Sequence, residues 1–139
     1  MGSGVAQGVI SVNMSKVVFG FFVLLAVTLN FGFFIGDIDN PDHHDVYELF
    51  AALVVGLIAT VLKFGERSQM GAILFASSLV VNLHLIAAVV VWAVAVHVTE
   101  VGLTPKVMAS IVSLSGGALL ANLVSLVLLT LDTAGLSRR

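Results

Sequence analysis

Residues 70–98 read MGAILFASSLVVNLHLIAAVVVWAVAVHV and contain no aspartate, glutamate, lysine or arginine. A helix needs about 20 apolar residues to cross the hydrocarbon core of a bilayer, which is about 30 Å thick. This run is longer than that. We therefore expect it to form a transmembrane helix that tilts or protrudes from the membrane.

Three further apolar runs flank it, and the whole chain has the composition of a membrane protein. Hydrophobic residues make up 59% of the 139 residues and charged residues 10%, with a mean hydropathy of +1.14. Soluble domains carry about 25% charged residues. The sequence predicts an all-α, polytopic membrane protein in which residues 14–139 form a single domain, after a disordered leader or cloning remnant at residues 1–13. Its four transmembrane helices, in up-down order, are expected at about residues 17–36, 41–63, 70–98 and 106–131.

Two of the helix starts carry a capping residue followed by proline. Asn40 precedes Pro41 and Thr104 precedes Pro105, and each pair is typical of an N-cap followed by the first helical residue. The order helix, turn, cap with proline, helix therefore occurs twice, which suggests a two-plus-two hairpin repeat. Two consecutive hairpins without duplication would give the same pattern.

The basic residues predict the orientation, because lysine and arginine are retained on the cytoplasmic side of a membrane. If the four helices alternate in direction, Lys106 alone lies on one side. Both termini are therefore expected in the cytoplasm, in a multi-pass protein of the bacterial inner (plasma) membrane. The basic residues on the cytoplasmic side are Lys16, Lys63, Arg67, Arg138 and Arg139.

The segment between the first two helices concentrates negative charge on the opposite side. Residues 37–48 contain five carboxylates and two histidines. Their spacing resembles the calcium-binding loop of EF-hand proteins, which implies a calcium site. The segment departs from that motif at Pro41, in the fifth ligand position, and at Asp42, where the motif has glycine. Residues with side-chain oxygens occupy the first, third, ninth and twelfth positions, which are Asp37, Asp39, Asp45 and Glu48.

A second interpretation starts helix two at Pro41. The first turn would then carry carboxylates that favour the helix dipole, and His44 and Glu48 would share one face. This candidate cation mouth could bind a divalent cation such as Ca²⁺, or form a ring of carboxylates around an oligomer axis that attracts cations. The alternative is an ordinary solvated acidic loop. The candidate mouth comprises Asp37, Asp39, Asp42, His44, Asp45 and Glu48.

Few strongly polar side chains lie within the predicted helices. They are expected to face protein or water, because an unsatisfied amide in hydrocarbon is costly. Such residues either join helices by hydrogen bonds or line a path for cations. The candidates are Asn30, Asn82, His84 and Asn122.

Helix four carries small residues at intervals of four. Such a face lets another helix backbone approach closely, so it predicts tight packing within the bundle or against another copy of the chain. We expect a homo-oligomer. The packing residues are Ala109, Ser113, Gly117, Ala121 and Ser125.

These features favour an oligomeric channel or transporter for cations, with the lipid bilayer and inorganic cations as its partners. The alternative is a non-transporting subunit that packs against a partner membrane protein. No enzyme activity is expected, because the chain has no cysteine and no set of nucleophile, base or metal ligands converges within the helices. No feature of the sequence indicates nucleic-acid binding.

Overall fold

The computed structural model describes residues 14–135, and this part of the chain is helical. A short 3-10 helix, Pro41–His43, lies between the first two long helices, and the third ends in the π-helical turn Val94–Val98. The predicted leader, residues 1–13, lies outside the described residues. The four long helices are α1 (Met14–Phe34), α2 (Val46–Lys63), α3 (Gln69–Ala93) and α4 (Pro105–Thr133).

The long helices form a four-sided bundle. Each helix packs against the next one along the chain, and α4 also packs against α1. The connections between them define two ends of the bundle. We call the end formed by residues 35–45 and 99–104 the acidic end. The opposite end, formed by residues 64–68 and the first turn of α1, is the basic end.

All four helices are long and apolar enough to cross a membrane. Large apolar side chains cover the outside of the bundle, among them Leu83 and Leu120, which are 67% and 68% exposed. Several asparagine and serine side chains lie inside instead. An apolar exterior around a partly polar interior is the arrangement that lipid requires. The all-α prediction and the prediction of four membrane-length helices are confirmed, and they describe a multi-pass membrane protein.

Helix α2 begins at Val46 and not at Pro41, so the predicted start of this helix is wrong. Asn40 does cap a turn, since its Oδ1 accepts a hydrogen bond of 3.0 Å from the backbone N–H of Asp42. That turn is only the 3-10 helix, because the backbone at His44 is extended, with φ −129° and ψ 111°. Asp45 then supplies the true cap by accepting a hydrogen bond of 2.9 Å from Tyr47 N.

The other proline start is confirmed. Helix α4 begins at Pro105, and Thr104 Oγ1 accepts a hydrogen bond of 3.2 Å from Val107 N. Helix α3 begins with a cap that the sequence analysis did not name, in which Ser68 Oγ accepts from Gly71 N at 2.9 Å. Both caps satisfy backbone N–H groups that the first turn of a helix leaves without partners.

Two apolar clusters fill most of the bundle. In lipid such clusters stabilise the bundle through close packing, because lipid chains are as apolar as the side chains themselves. The cluster nearer the acidic end includes Phe33, Leu49, Leu85, Met108 and Ile111. The cluster nearer the basic end includes Phe19, Val23, Ala59, Leu74 and Leu129.

A methyl group at Gly56 should destabilise the bundle. A Cβ there would lie 2.7 Å from Asn82 Oδ1, and the Asn82 amide nitrogen is held by a hydrogen bond of 2.6 Å to Thr60 Oγ1. We expect Gly56→Ala to lower the free energy of unfolding by about 1–3 kcal/mol, because α2 and α3 must move apart. Thermal unfolding of the purified protein in detergent measures the change.

Gly20→Ala is the matched control for this prediction. The nearest atom to a Cβ at Gly20 is Leu129 Cδ2 at 3.4 Å, so the methyl group fits with little movement. Alanine is favoured over glycine within a helix by about 1 kcal/mol. The control should therefore be neutral or slightly more stable, and equal destabilisation by both substitutions would contradict a specific close approach at Gly56.

Candidate functional site in the bundle interior

The six residues of the predicted cation mouth do not come together as one site. The four aspartates are exposed, and one of them, Asp45, is occupied as the cap of α2. Within residues 14–135, no group of three or more histidine, aspartate or glutamate side chains is placed to hold a metal ion. The described residues therefore give no support to a calcium loop. The two members that turn toward the bundle are His44 and Glu48.

His44 ties the acidic end to the last turn of α1. Its side chain is buried, with Nδ1 2.5 Å from the carbonyl oxygen of Phe33 and Nε2 2.7 Å from the carbonyl oxygen of Asp37. The last carbonyl groups of a helix have no partner within the helix, and His44 contacts one of them, at Phe33. The side chain therefore holds the segment between α1 and α2 against the end of α1.

Glu48 brings a carboxylate into the contact between α1 and α2. Its Oε2 is buried and has no hydrogen-bond partner among the described residues. The carboxylate packs against Gly32, where a Cβ would lie 2.5 Å from Oε2. The absence of a side chain at Gly32 therefore makes the room that the carboxylate occupies.

Two asparagines join helices deeper in the bundle. Asn30 Oδ1, on α1, accepts a hydrogen bond of 2.5 Å from Ser115 Oγ on α4, and both residues are fully buried. The amide nitrogen of Asn82, on α3, donates to Thr60 Oγ1 on α2 at 2.6 Å. Each asparagine keeps one buried atom without a partner in the described structure, Nδ2 in Asn30 and Oδ1 in Asn82. The interior is therefore polar but incompletely hydrogen-bonded.

The third asparagine, Asn122, lines a small cavity near the bundle centre. Ser78 and Ser125 form the rest of its polar wall. Ser125 Oγ lies 2.5 Å from Ser77 Oγ, and Ser77 donates to the carbonyl oxygen of Leu74 at 3.0 Å. The amide nitrogen of Asn122 is buried without a partner among the described residues.

We use the name polar column for the four residues whose buried polar atoms lack a partner among the described residues, Asn30, Glu48, Asn82 and Asn122. His84 and most of the small-residue face are not part of it. His84 is half-buried, with Nδ1 3.0 Å from the carbonyl oxygen of Val80. Its ring packs on Gly117, where a Cβ would lie 2.6 Å from Cδ2. Ser125 is the one residue of the predicted face that is fully buried. Ser113 is exposed, and the half-buried members are Ala109, Gly117 and Ala121.

Sequence reasoning missed Ser115 as a partner in the interior. Ser115 lies seven residues before Asn122, which places both residues on one face of α4. This spacing could have indicated that Ser115 faces the interior. It also treated Lys63 only as a marker of orientation. The three-residue spacing between Lys63 and Glu66 was the signal for an ion pair.

Two ion pairs close the basic end. Lys63 is buried, and its Nζ donates to Glu66 Oε2 at 2.8 Å and lies 4.6 Å from the centre of the Phe19 ring. Lys16 Nζ lies 3.0 Å from Asp132 Oδ2, which joins the start of α1 to the end of α4. The hydrogen bond from Lys63 lowers the pKa of Glu66, and a second hydrogen bond, from a serine, acts in the same direction.

Comparison with known proteins adds a family but no activity. The profile of a family of unknown function (DUF6394) matches residues 43–133. This range includes α2, α3 and α4 and leaves out α1. No curated protein and no solved structure matches the chain.

Glu66→Gln should lower stability at neutral pH and have less effect in acid. The substitution takes the ionic partner from the buried ammonium group of Lys63. Because the folded state lowers the pKa of Glu66, the stabilisation is present above the pKa of the unfolded chain and is lost as pH falls through the folded-state pKa. We expect the difference in unfolding temperature between wild type and variant to shrink in acid.

The measurement is thermal unfolding of both proteins in detergent across the acid range. Arg67→Gln, which changes the neighbouring exposed residue, is the control and should leave the unfolding temperature almost unchanged. A wild-type advantage that stays constant down to strongly acidic pH would contradict the ion pair.

Proposed function

The chain belongs to the family of unknown function DUF6394, and we propose that it is a channel or transporter for cations that acts as an oligomer. The observation that carries the proposal is the polar column inside the bundle. A buried polar atom without a partner costs about 1–3 kcal/mol, so a bundle that served only as a scaffold would satisfy these groups. A path for a polar substrate explains why they stay available. The four atoms are Asn30 Nδ2, Glu48 Oε2, Asn82 Oδ1 and Asn122 Nδ2.

Glu48 is the cation-binding group in this proposal. It is the carboxylate of the acidic end that turns into the bundle, and its Oε2 lacks a partner among the described residues. A cation bound there would be that partner. The exposed aspartates around it would raise the local concentration of cations, as acidic rings do at channel entrances. In an oligomer these aspartates would also form the predicted mouth.

The two ends of the bundle favour a transporter over an open channel. His44 closes the acidic end through its contacts with the carbonyl oxygens of Phe33, in α1, and of Asp37, in the connection after it. The pairs Lys16–Asp132 and Lys63–Glu66 close the basic end. The cavity between them measures about 10 Å³, too little for a continuous pore within one chain. The proposal is that the two ends open in turn, so that a cation crosses within one chain. Alternatively, the cation crosses between the copies of an oligomer.

A non-transporting membrane subunit is the second candidate function. The observation that favours it is Ser113, which is exposed on α4 beside half-buried Ala109 and Gly117. A hydroxyl and small residues on a lipid-facing surface are typical of contacts between membrane helices. In this alternative the face binds a partner membrane protein, and the polar column only joins the four helices.

We propose that the basic end is cytoplasmic, so that both termini lie inside, and that the membrane is a bacterial inner membrane. The retained lysines and arginines support this orientation. We also propose the two-plus-two repeat. Asn30 on α1 bonds to Ser115 on α4, and Asn82 on α3 bonds to Thr60 on α2. Each hairpin thus places an asparagine of its first helix against a hydroxyl of the other hairpin's second helix.

Single-cysteine labelling tests the orientation, and the cysteine-free sequence makes each introduced thiol unique. We expect a membrane-impermeant maleimide to label Asp42→Cys on intact spheroplasts and Arg67→Cys only after permeabilisation. The reverse pattern would overturn the orientation. Labelling of both positions on intact spheroplasts would show that the two loops do not lie on opposite sides.

Glu48→Gln tests the cation path. We expect purified wild-type protein in liposomes to carry a cation down its gradient and the variant to carry it at least about tenfold more slowly, because the binding charge is lost. Asp42→Asn is the matched control, since it removes the same charge from an exposed position, and it should change the flux little.

The assay compares potassium, sodium, calcium and protons in the same vesicles. Equal flux and equal ion preference in wild type and Glu48→Gln would contradict the role of Glu48. The absence of flux for every cation in the wild type would instead favour the non-transporting subunit.

A further inference from the structure

The cavity near the bundle centre lies between all four helices. Val23 from α1 and Ala59 from α2 contribute to its apolar wall, and Ser78, Asn122 and Ser125 form its polar wall. Its volume of about 10 Å³ is close to the smallest space that holds one water molecule. A buried water also needs two to four polar partners, and the wall supplies three polar side chains.

The side chains around the cavity determine which contacts a ligand could make. Ser77 Oγ lies 3.0 Å from the carbonyl oxygen of Leu74 and 2.5 Å from Ser125 Oγ. Whichever hydroxyl donates between the two serines, the Ser125 oxygen keeps a lone pair that can accept a further hydrogen bond. Asn122, which is 4% exposed, has an amide that offers both donors and an acceptor.

We propose that this cavity binds one water molecule, held by Asn122, Ser78 and Ser125, and that the cation carried through the bundle is a proton. The water donates to the Ser125 oxygen and pairs with the Asn122 amide group, which gives that buried side chain the partner it lacks. The second half of the proposal, the identity of the cation, rests on the function proposed above.

The wall of the cavity disfavours a metal cation. Ca²⁺ takes about six to eight oxygen ligands, Mg²⁺ requires an octahedral set, and K⁺ needs rings of carbonyl oxygens to replace its hydration shell. The cavity offers three neutral polar side chains and room for one small molecule. A water molecule there can accept a proton on one side and release a proton on the other. The water molecule is regenerated by this transfer, and no other reactant is needed.

A carboxylate and an imidazole lie near the acidic end of the bundle. Glu48 and His44 both lie against the last turns of α1, beside Gly32 and the Phe33 carbonyl respectively. Carboxylate and imidazole are the usual groups for proton transfer in proteins. Together with the size of the cavity, this points to protons as the substrate.

Nuclear magnetic resonance on the wild-type protein tests the water site without any variant. In ¹⁵N-labelled protein in detergent or nanodiscs, the Asn122 side-chain amide should show a nuclear Overhauser effect to water of the sign given by a long-lived bound molecule. The side-chain amide of Asn82, whose nitrogen donates to Thr60 Oγ1 instead, is the internal comparison and should show none. No effect at Asn122 would overturn the water site, whatever the protein transports.

Liposome flux then tests the identity of the cation. We expect proton flux in the wild type, no flux of sodium, potassium or calcium, and proton flux lowered at least about fivefold in Asn122→Leu, which cannot hold the water. Leu120→Ala, on the exposed side of the same helix, should keep the wild-type rate. Flux of a metal ion comparable to that of protons would overturn the proton assignment. A water signal at Asn122 without flux of any cation would uphold the water site and overturn both the proton assignment and the proposed transport.

Discussion

Hydrocarbon offers no hydrogen-bond partner to a side-chain amide, and this constraint determines which face turns inward in the three helices that carry an asparagine. Helices α1, α3 and α4 each carry one asparagine, and all three side chains are buried. The apolar residues on the other faces are left for the lipid. Asn30 and Asn82 bind hydroxyls of neighbouring helices, which fixes how those helices are rotated about their axes.

Glycines supply the space for polar side chains between these helices. A Cβ at Gly32 would collide with Glu48, one at Gly56 with Asn82, and one at Gly117 with the ring of His84. Small residues in membrane helices usually let two backbones approach each other. In this bundle each of these glycines instead accommodates a polar side chain from another helix. Gly32 and Gly56 thus determine both the packing of their helices and the positions of two polar-column residues, Glu48 and Asn82.

The number and approximate limits of the helices could be predicted because hydropathy and proline caps are local properties. The start at Pro105 follows from Thr104 and its neighbours alone. The start of α2 could not be predicted in this way, because the segment before it is held by contacts from His44 to the carbonyl oxygens of Phe33, in α1, and of Asp37.

In the interior site, too, the polar residues of single helices could be predicted from the sequence, whereas their partners on other helices could not. The sequence identifies Asn30 and Asn82 as the strongly polar residues of their helices. Their partners, Ser115 and Thr60, depend on which helices become neighbours, and one sequence does not contain that arrangement. The acidic segment had been interpreted as one cluster because its residues are close in sequence. Its backbone turns four aspartates outward and two other side chains inward.

The unequal lengths of α2 and α3 have a consequence for the membrane around the protein. Helix α2 has 18 residues and the apolar span Gln69–Val98 has 30, which correspond to about 27 Å and 45 Å of helix. A bilayer with a core of about 30 Å matches the first and is too thin for the second. Trp92, packed edge-on against Phe50 and His97, is the kind of side chain that settles at the headgroup level. Hydrophobic mismatch at α3 would therefore make the tilt of the bundle depend on the acyl-chain length of the surrounding lipids.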